Sequence, residues 1–310
     1  MSQAQPNSAP LLRRLSRQLI RQLGLLDAAC GNQPLSPVQA HALIELGENS
    51  YAIKQLASLL NIDKSNASRA VSHLVEKGFA STQPNPRDNR SLVVQISAKG
   101  KRQLLKLHQQ QNQQFSDILA QLPSEHINEL EVSLARYNKA VMQSKAQQGY
   151  QVRSITAEDN PQIAQVIRDV SAEYGLTADK GYGVADLSLD SLYEVYQHAN
   201  AHYWVIERDG KVLGGAGIAP LHGQEGVCEL QKMYFASELR GKGFARRLAL
   251  MAIEFAKTQH YNACYLETTA NLVEAINLYA SLGFNQLDAP LGNTGHDACE
   301  IPMLKPINQS

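Results

Sequence analysis

The chain has 310 residues, 44% hydrophobic and 19% charged, with 29 Lys+Arg balancing 29 Asp+Glu. That is enough length for two domains and enough apolar material for buried cores, which excludes a largely disordered chain. The zero net charge conceals two halves: residues 1–149 carry 17 Lys+Arg against 10 Asp+Glu (+7), and residues 150–310 carry 12 against 19 (−7). A basic half draws polyanions such as nucleic acid, and an acidic half favours cationic small molecules.

In chain order, residues 11–29 mix Leu and Ile with Arg13, Arg14, Arg17 and Arg21 at helical spacing. Ser36-Pro37-Val38-Gln39 supplies a cap, a proline at the first helical position and a capping-box Gln, which predicts a helix to about Leu46. A short helix over Lys54–Leu60 and a polar break at Asn61-Ile62-Asp63 lead to a fourth helix over 64–77, stopped by Gly78. On that helix Ala67, Ala70, Val71, Leu74 and Val75 share one face, and Ser65, Ser68, Arg69, Ser72 and Glu76 share the other. Short hydroxyls with one Arg suit a DNA groove, and they equally suit an ordinary amphipathic helix.

The neighbours favour the groove. Phe79–Gln83 and Ser91–Ser97 read as strands about a Pro/Asn/Asp turn whose tip carries Arg87 and Arg90, placed for phosphate or minor-groove contact. Helix, turn, helix and basic hairpin describe a winged helix-turn-helix. Leu56-Ala57-Ser58-Leu59-Leu60, Ser68-Arg69, Leu74 to Phe79, Asp88-Asn89-Arg90 and Ile96 to Gly100 together resemble the MarR family of transcriptional regulators over roughly residues 10–146. The resemblance implies that first and last helices intertwine into a homodimer binding a near-palindromic double-stranded operator. It also implies that Asp88 and Arg90 orient the wing, with Asp88 paired to Arg69. Ser97 caps a predicted helix to about 120, and Pro123-Ser124 opens another to about Ala146. A short linker, Ala146 to Gly149, follows.

From Tyr150 the periodicity changes. Tyr150–Thr156 reads as a strand, and Thr156 to Asp159 as a capping box for a helix to about Tyr174. His202–Arg208 and Lys211–Ile218 flank Asp209-Gly210, a type I′ hairpin signal. A strand through Cys228–Phe235, a helix from Gly243, a strand at Cys264–Thr268, a helix at about Leu272–Leu282 and a last strand at Ile301–Leu304 complete a mixed α/β (α+β) sheet domain. The four cysteines (30, 228, 264, 299) lack paired spacing, so neither a metal site nor a disulfide framework is expected. No apolar run reaches the ~18 residues of a membrane helix, and Met1 to Pro6 lacks a leader's basic and apolar regions, so a cytoplasmic protein is expected.

Between a strand and a helix stands Arg240-Gly241-Lys242-Gly243-Phe244-Ala245. Two glycines let the main chain approach a ligand, and a helix start beside Arg240 and Lys242 favours an anion. A Walker loop is excluded because Gly243, not Ser or Thr, follows Lys242; a dinucleotide fingerprint is excluded by Arg246. A plain glycine-rich turn remains the alternative. With Glu229 to Phe235 before it, and Asn271, Ala275, Ile276, Asn277, Leu278, Tyr279, Gly283 and Phe284 after it, the segment resembles motifs A and B of the GNAT N-acetyltransferases over about 150–304.

That resemblance implies an acetyl-CoA co-substrate. Backbone groups along Met233-Tyr234-Phe235 would hold its pantetheine, the amides from Gly241 to Ala245 its diphosphate, and Asn271 and Asn277 further polar atoms. Tyr279 matches a tyrosine that protonates the departing thiolate, or packs only. Glu229 is the candidate general base, with Glu267 second, and His296 a candidate contact for a small-molecule amine. The expectation is therefore a multi-domain chain, a mostly-α winged helix (1–146) followed by a GNAT acyl-CoA N-acyltransferase fold (150–310). It would be a bifunctional regulator and transferase; the alternatives are a regulator that only senses acetyl-CoA or an amine, and an enzyme whose first half only dimerises.

Overall fold

The computed structural model describes residues 8–26, 34–85, 88–176, 186–292 and 299–307. Two compact units divide in sequence between Ser133 and Leu134, inside the helix α6 (Ser124–Ala146).

In the first unit, α1 spans Ser8–Gln22, shorter than the 11–29 pattern suggested. Helix α2 (Pro37–Glu48) starts with the expected reciprocal cap: Gln39 N–H donates to Ser36 Oγ (3.4 Å), and Ser36 N–H to Gln39 Oε1 (3.1 Å). Helix α3 (Ile53–Leu60) ends on Asn61 in the left-handed region, φ 55°. Asp63 caps α4 (Lys64–Glu76), taking the Asn66 N–H at 2.8 Å. The hairpin is present as β2 (Ala80–Asn85) and β3 (Asp88–Ile96). A two-residue strand missed from the sequence, β1 (Tyr51–Ala52), pairs with Val94 and Val93 and makes the sheet three-stranded. Leu43, Leu46, Leu56, Val71, Leu74, Phe79, Val94 and Leu107 form the core beneath it.

Helix α5 (Ala98–Leu119) is tied at its start to the end of α4. Ser97 Oγ donates to Gly78 O (2.6 Å) and accepts from Gly100 N–H (2.9 Å), while Lys99 Nζ reaches Lys77 O (2.7 Å). Any Cβ at Gly100 would lie 1.9 Å from Phe79 O, so α5 seats here only with glycine.

The second unit holds a seven-stranded sheet, ordered β4 (Gln151–Ser154), β5 (His202–Arg208), β6 (Lys211–Pro220), β7 (Val227–Phe235), β8 (Ala263–Thr268), β10 (Ile301–Pro306), β9 (Asn285–Gln286). All neighbours run antiparallel except β7 and β8. Strand alternation sends Trp204 and Ile206 to one face and Tyr203 and Val205 to the other. Helix α9 (Phe244–Thr258) covers the first face through Phe244, Leu248 and Ala252. Helix α7 (Asn160–Glu173) and the short α8 (Leu192–Val195) cover the second, through Ile163, Ile167 and Leu192. Helix α10 (Val273–Ser281) follows β8. Asp209 (φ 52°) and Gly210 (φ 77°) make the predicted tight turn.

Candidate functional site

On α4 the burial follows the sequence pattern with one correction. Ala67, Ala70, Val71 and Leu74 are buried, but Val75, assigned to the inner face, is exposed. It sits one step past the contact with the core, where α4 is about to end. Ser65, Arg69 and Ser72 are exposed and Ser68 half-buried; with His73 and Glu76 they line one shallow depression. Ser72 Oγ donates to Ser68 O (3.0 Å), and the Arg69 guanidinium donates to Asn66 Oδ1, which props it along the outer stripe. Arg87 lies outside the described residues; Arg90 falls on β3, and its side chain and that of Asp88 also lie outside the described set.

In the second unit the decisive geometry is a fork. Strands β7 and β8 pair in register only at Val227↔Ala263, Cys228↔Cys264 and Glu229↔Tyr265. Beyond Glu229, β7 runs on to Phe235 paired with β6, and β8 runs on to Thr268 paired with β10. The separation begins where β7 bulges: Gln231 pairs with Gly217 and Tyr234 with Gly215, and Lys232 takes φ 48°. Tyr203 OH donates to Lys232 O (2.9 Å), satisfying a carbonyl in the bulge. The stretch Met233-Tyr234-Phe235 thus lies along the open arm of the fork, and Glu229 at its base.

Glu229 is 4% exposed. Burial is the main influence on its carboxyl, which is pushed up to about 7; the Gln231 amide and Lys232 oppose the rise and Glu267 adds to it. Glu267 lies on β8, less buried, with Tyr265 OH donating to its Oε1 (2.6 Å). Cys228 and Cys264 are fully buried. Burial also pushes the Tyr279 hydroxyl well above its ordinary range; it contacts Met233 Sδ at 3.6 Å, bringing α10 to the open arm of β7. Asn271 and Asn277 are exposed, and His296 lies outside the described residues.

The loop after β7 fits an anion. Gly241 (φ 73°) and Gly243 (φ 81°) both need the left-handed region, and α9 begins at Phe244 immediately after. A Cβ at Gly241 would meet nothing within 4 Å, whereas one at Gly243 would lie 2.5 Å from the Gln143 side chain. Gln147 Nε2 donates to Lys242 O (2.9 Å), and Arg247 donates to Gln147 Oε1 (2.9 Å). Arg240 pairs with Glu173 and lies over the Tyr174 ring, and Lys242 Nζ reaches Glu238 O. Phe244 is buried, so it anchors the helix start; the ligand face belongs to the backbone around it. Among the described residues no His/Cys/Asp/Glu group could hold a metal, and no helix is long and apolar enough to cross a membrane.

An α/β sheet that forks beside a glycine-bent helix start is the frame of an acyltransferase fold, and helices α2 to α4 with the β2–β3 wing form a winged helix-turn-helix. Residues 168–284 match the acetyltransferase (GNAT) family model, and residues 33–91 match the MarR family model. An uncharacterised N-acetyltransferase of Escherichia coli K12, YjgM, is 58% identical over 167 residues, 54% of this chain and all of that one. The human N-acetylaspartate synthetase is 41% identical over 87 residues, 28% of either chain. A GNAT acetyltransferase structure from Staphylococcus aureus Mu50 superposes with a TM-score of 0.46 at 16% identity, over 51% of this chain and 99% of that one. The chain belongs to the GNAT acetyltransferases and carries a MarR-family winged helix ahead of the transferase fold.

Proposed function

We propose that the protein is a homodimeric DNA-binding regulator, through residues 1–146, and an N-acetyltransferase, through residues 150–310, that moves acetyl from acetyl-CoA to a small primary amine. The observation that carries the transferase reading is the fork, with a buried carboxylate at its base and a tyrosine hydroxyl along its open arm. Acetyl-CoA supplies an activated thioester. The backbone of Met233 and Phe235 would bind its arm and the amides from Gly241 to Ala245 its diphosphate, with Arg240, Lys242, Asn271 and Asn277 around them. As the amine nitrogen bonds to the acetyl carbon and the carbon–sulfur bond breaks, Glu229 takes the proton from nitrogen and Tyr279 gives one to sulfur. A carboxyl poised near neutrality suits that exchange better than an ordinary one.

For the acceptor, the −7 charge of residues 150–310 favours a cation, and the N-acetylaspartate synthetases among the relatives make an N-acetylated amino acid by name. For the operator, the α4 stripe of Ser65, Ser68, Arg69 and Ser72 would enter the major groove, with Arg87 and Arg90 on the flanking backbone. Exposed Leu11, Leu15 and Leu19 on α1 and Phe115 and Ile118 on α5 supply the apolar surface a second copy would cover.

The test is thiol release from acetyl-CoA by the purified chain with amino acids, putrescine and spermidine offered singly. Release that requires an amine is the expected result. Tight acetyl-CoA binding with no release from any of them would turn the second unit into a sensor.

A further inference from the structure

Glu229 does not hold its position alone. Gln231, two residues along the same face of β7, donates its amide N–H to Glu229 Oε2 at 2.6 Å. The other end of that amide, Oε1, accepts from Tyr196 OH at 2.7 Å. The carboxylate fixes which way the amide faces, because reversing it would set a carbonyl oxygen against a carboxylate oxygen, and the hydroxyl then donates to the amide oxygen. Tyr196, just past α8, is 5% exposed, and its ring lies 5.1 Å from that of Tyr203, whose own hydroxyl holds the bulge carbonyl of Lys232. The seat for the ring is Gly217, where a Cβ would lie 2.5 Å from Tyr196 Cζ and its hydroxyl oxygen. Every member of this chain is packed, and none belongs to the binding loop.

We propose that Tyr196 and Gln231 are positioning residues for acetyl transfer, a hydrogen-bond chain that locks the Glu229 carboxylate toward the fork and favours its charged, proton-accepting form. This rests on Glu229 being the base. The charged and titratable groups around that carboxylate are Lys232 on its own strand, Cys264, Tyr265 and Glu267 on β8, Tyr196 beside α8, and Cys299 just before β10. Of these Lys232 opposes protonation, itself paired with Asp186 at 3.1 Å, and Glu267 promotes it. Loss of the Gln231 donor therefore moves the balance toward the protonated acid.

The experiment follows the rate against pH in the full chain with the best amine of the panel above, for the parent, Glu229→Gln, Tyr196→Phe and Gln231→Leu. The parent should lose activity as pH falls through about 7, and Glu229→Gln should lack that limb. Tyr196→Phe, which removes one oxygen, should lower kcat about 10-fold at pH 7 and move the limb alkaline, with KM for acetyl-CoA unchanged; Gln231→Leu should do the same more strongly. If Glu229→Gln keeps the limb, the base assignment fails and the chain with it. If that limb is lost but both other variants retain the parent profile, only the positioning role is overturned. Where no amine turns over, carbon-13 NMR of labelled glutamate carboxyls reads the same midpoint: a displaced one in Tyr196→Phe supports the chain, and a superposable one refutes it.

Discussion

The two functional faces of this protein solve opposite physical problems. The α4 stripe keeps its candidate side chains, Ser65, Arg69 and Ser72, in water, where a cation such as Arg69 would gain by releasing the counterions condensed on a polyanion. The fork buries its candidate carboxylate at the cost of desolvation, and burial pushes Glu229 up to about 7. Exposed sites tolerate substitution and lose affinity in increments; buried ones are held by neighbours and fail together.

The sharpest way to break that contrast is at the loop. Gly243→Leu should reduce acetyl-CoA affinity more than 100-fold by calorimetry, because a side chain is strained at φ 81° and meets Gln143. Gly241→Ala carries the backbone strain of φ 73° but no clash, so it should cost less. Glu229→Gln should lower kcat on the order of 100-fold while acetyl-CoA binding is unchanged. The same variant separates chemistry from stability. A carboxyl raised from 4.5 to about 7 favours the fold most when protonated, so its contribution fades as pH rises across that window. Thermal unfolding of Glu229→Gln should thus exceed the parent's midpoint by several degrees at pH 8 and match it at pH 5. Tyr279→Phe should slow turnover by roughly 10-fold, since a thiolate leaves readily without help. The smallest effect belongs to the exposed face: Arg69→Ala should weaken operator binding by about 1 kcal/mol, roughly 5-fold, and reduce the salt slope, with acetyl transfer intact. An equal loss of transfer would erase the distinction between the two faces.

How legible these faces were in the chain follows from the same difference. Caps and turns depend on residues three or four apart, so Ser36, Ser97, Gly78 and Asp209-Gly210 could be read directly. The outer stripe of α4 also rests on local period, which misplaced only Val75, at the end of its helix. Strand β1 escaped because two residues carry no period and their partners, Val93 and Val94, lie far along the chain. Tyr196 escaped for the same reason: 35 residues separate it from Gln231, and only packing over Gly217 brings them together. The glycine loop and Tyr279 were found by motif, but the ladder's end at Glu229 is a matter of register that no local pattern encodes.

The knot of contacts between Ser97, Lys99, Gly100 and the carbonyls of residues 77–79 has a mechanical corollary. It ties the foot of the 22-residue α5 to the tail of α4. One methyl group at position 100 would collide with the Phe79 carbonyl and force the two helices apart at this joint.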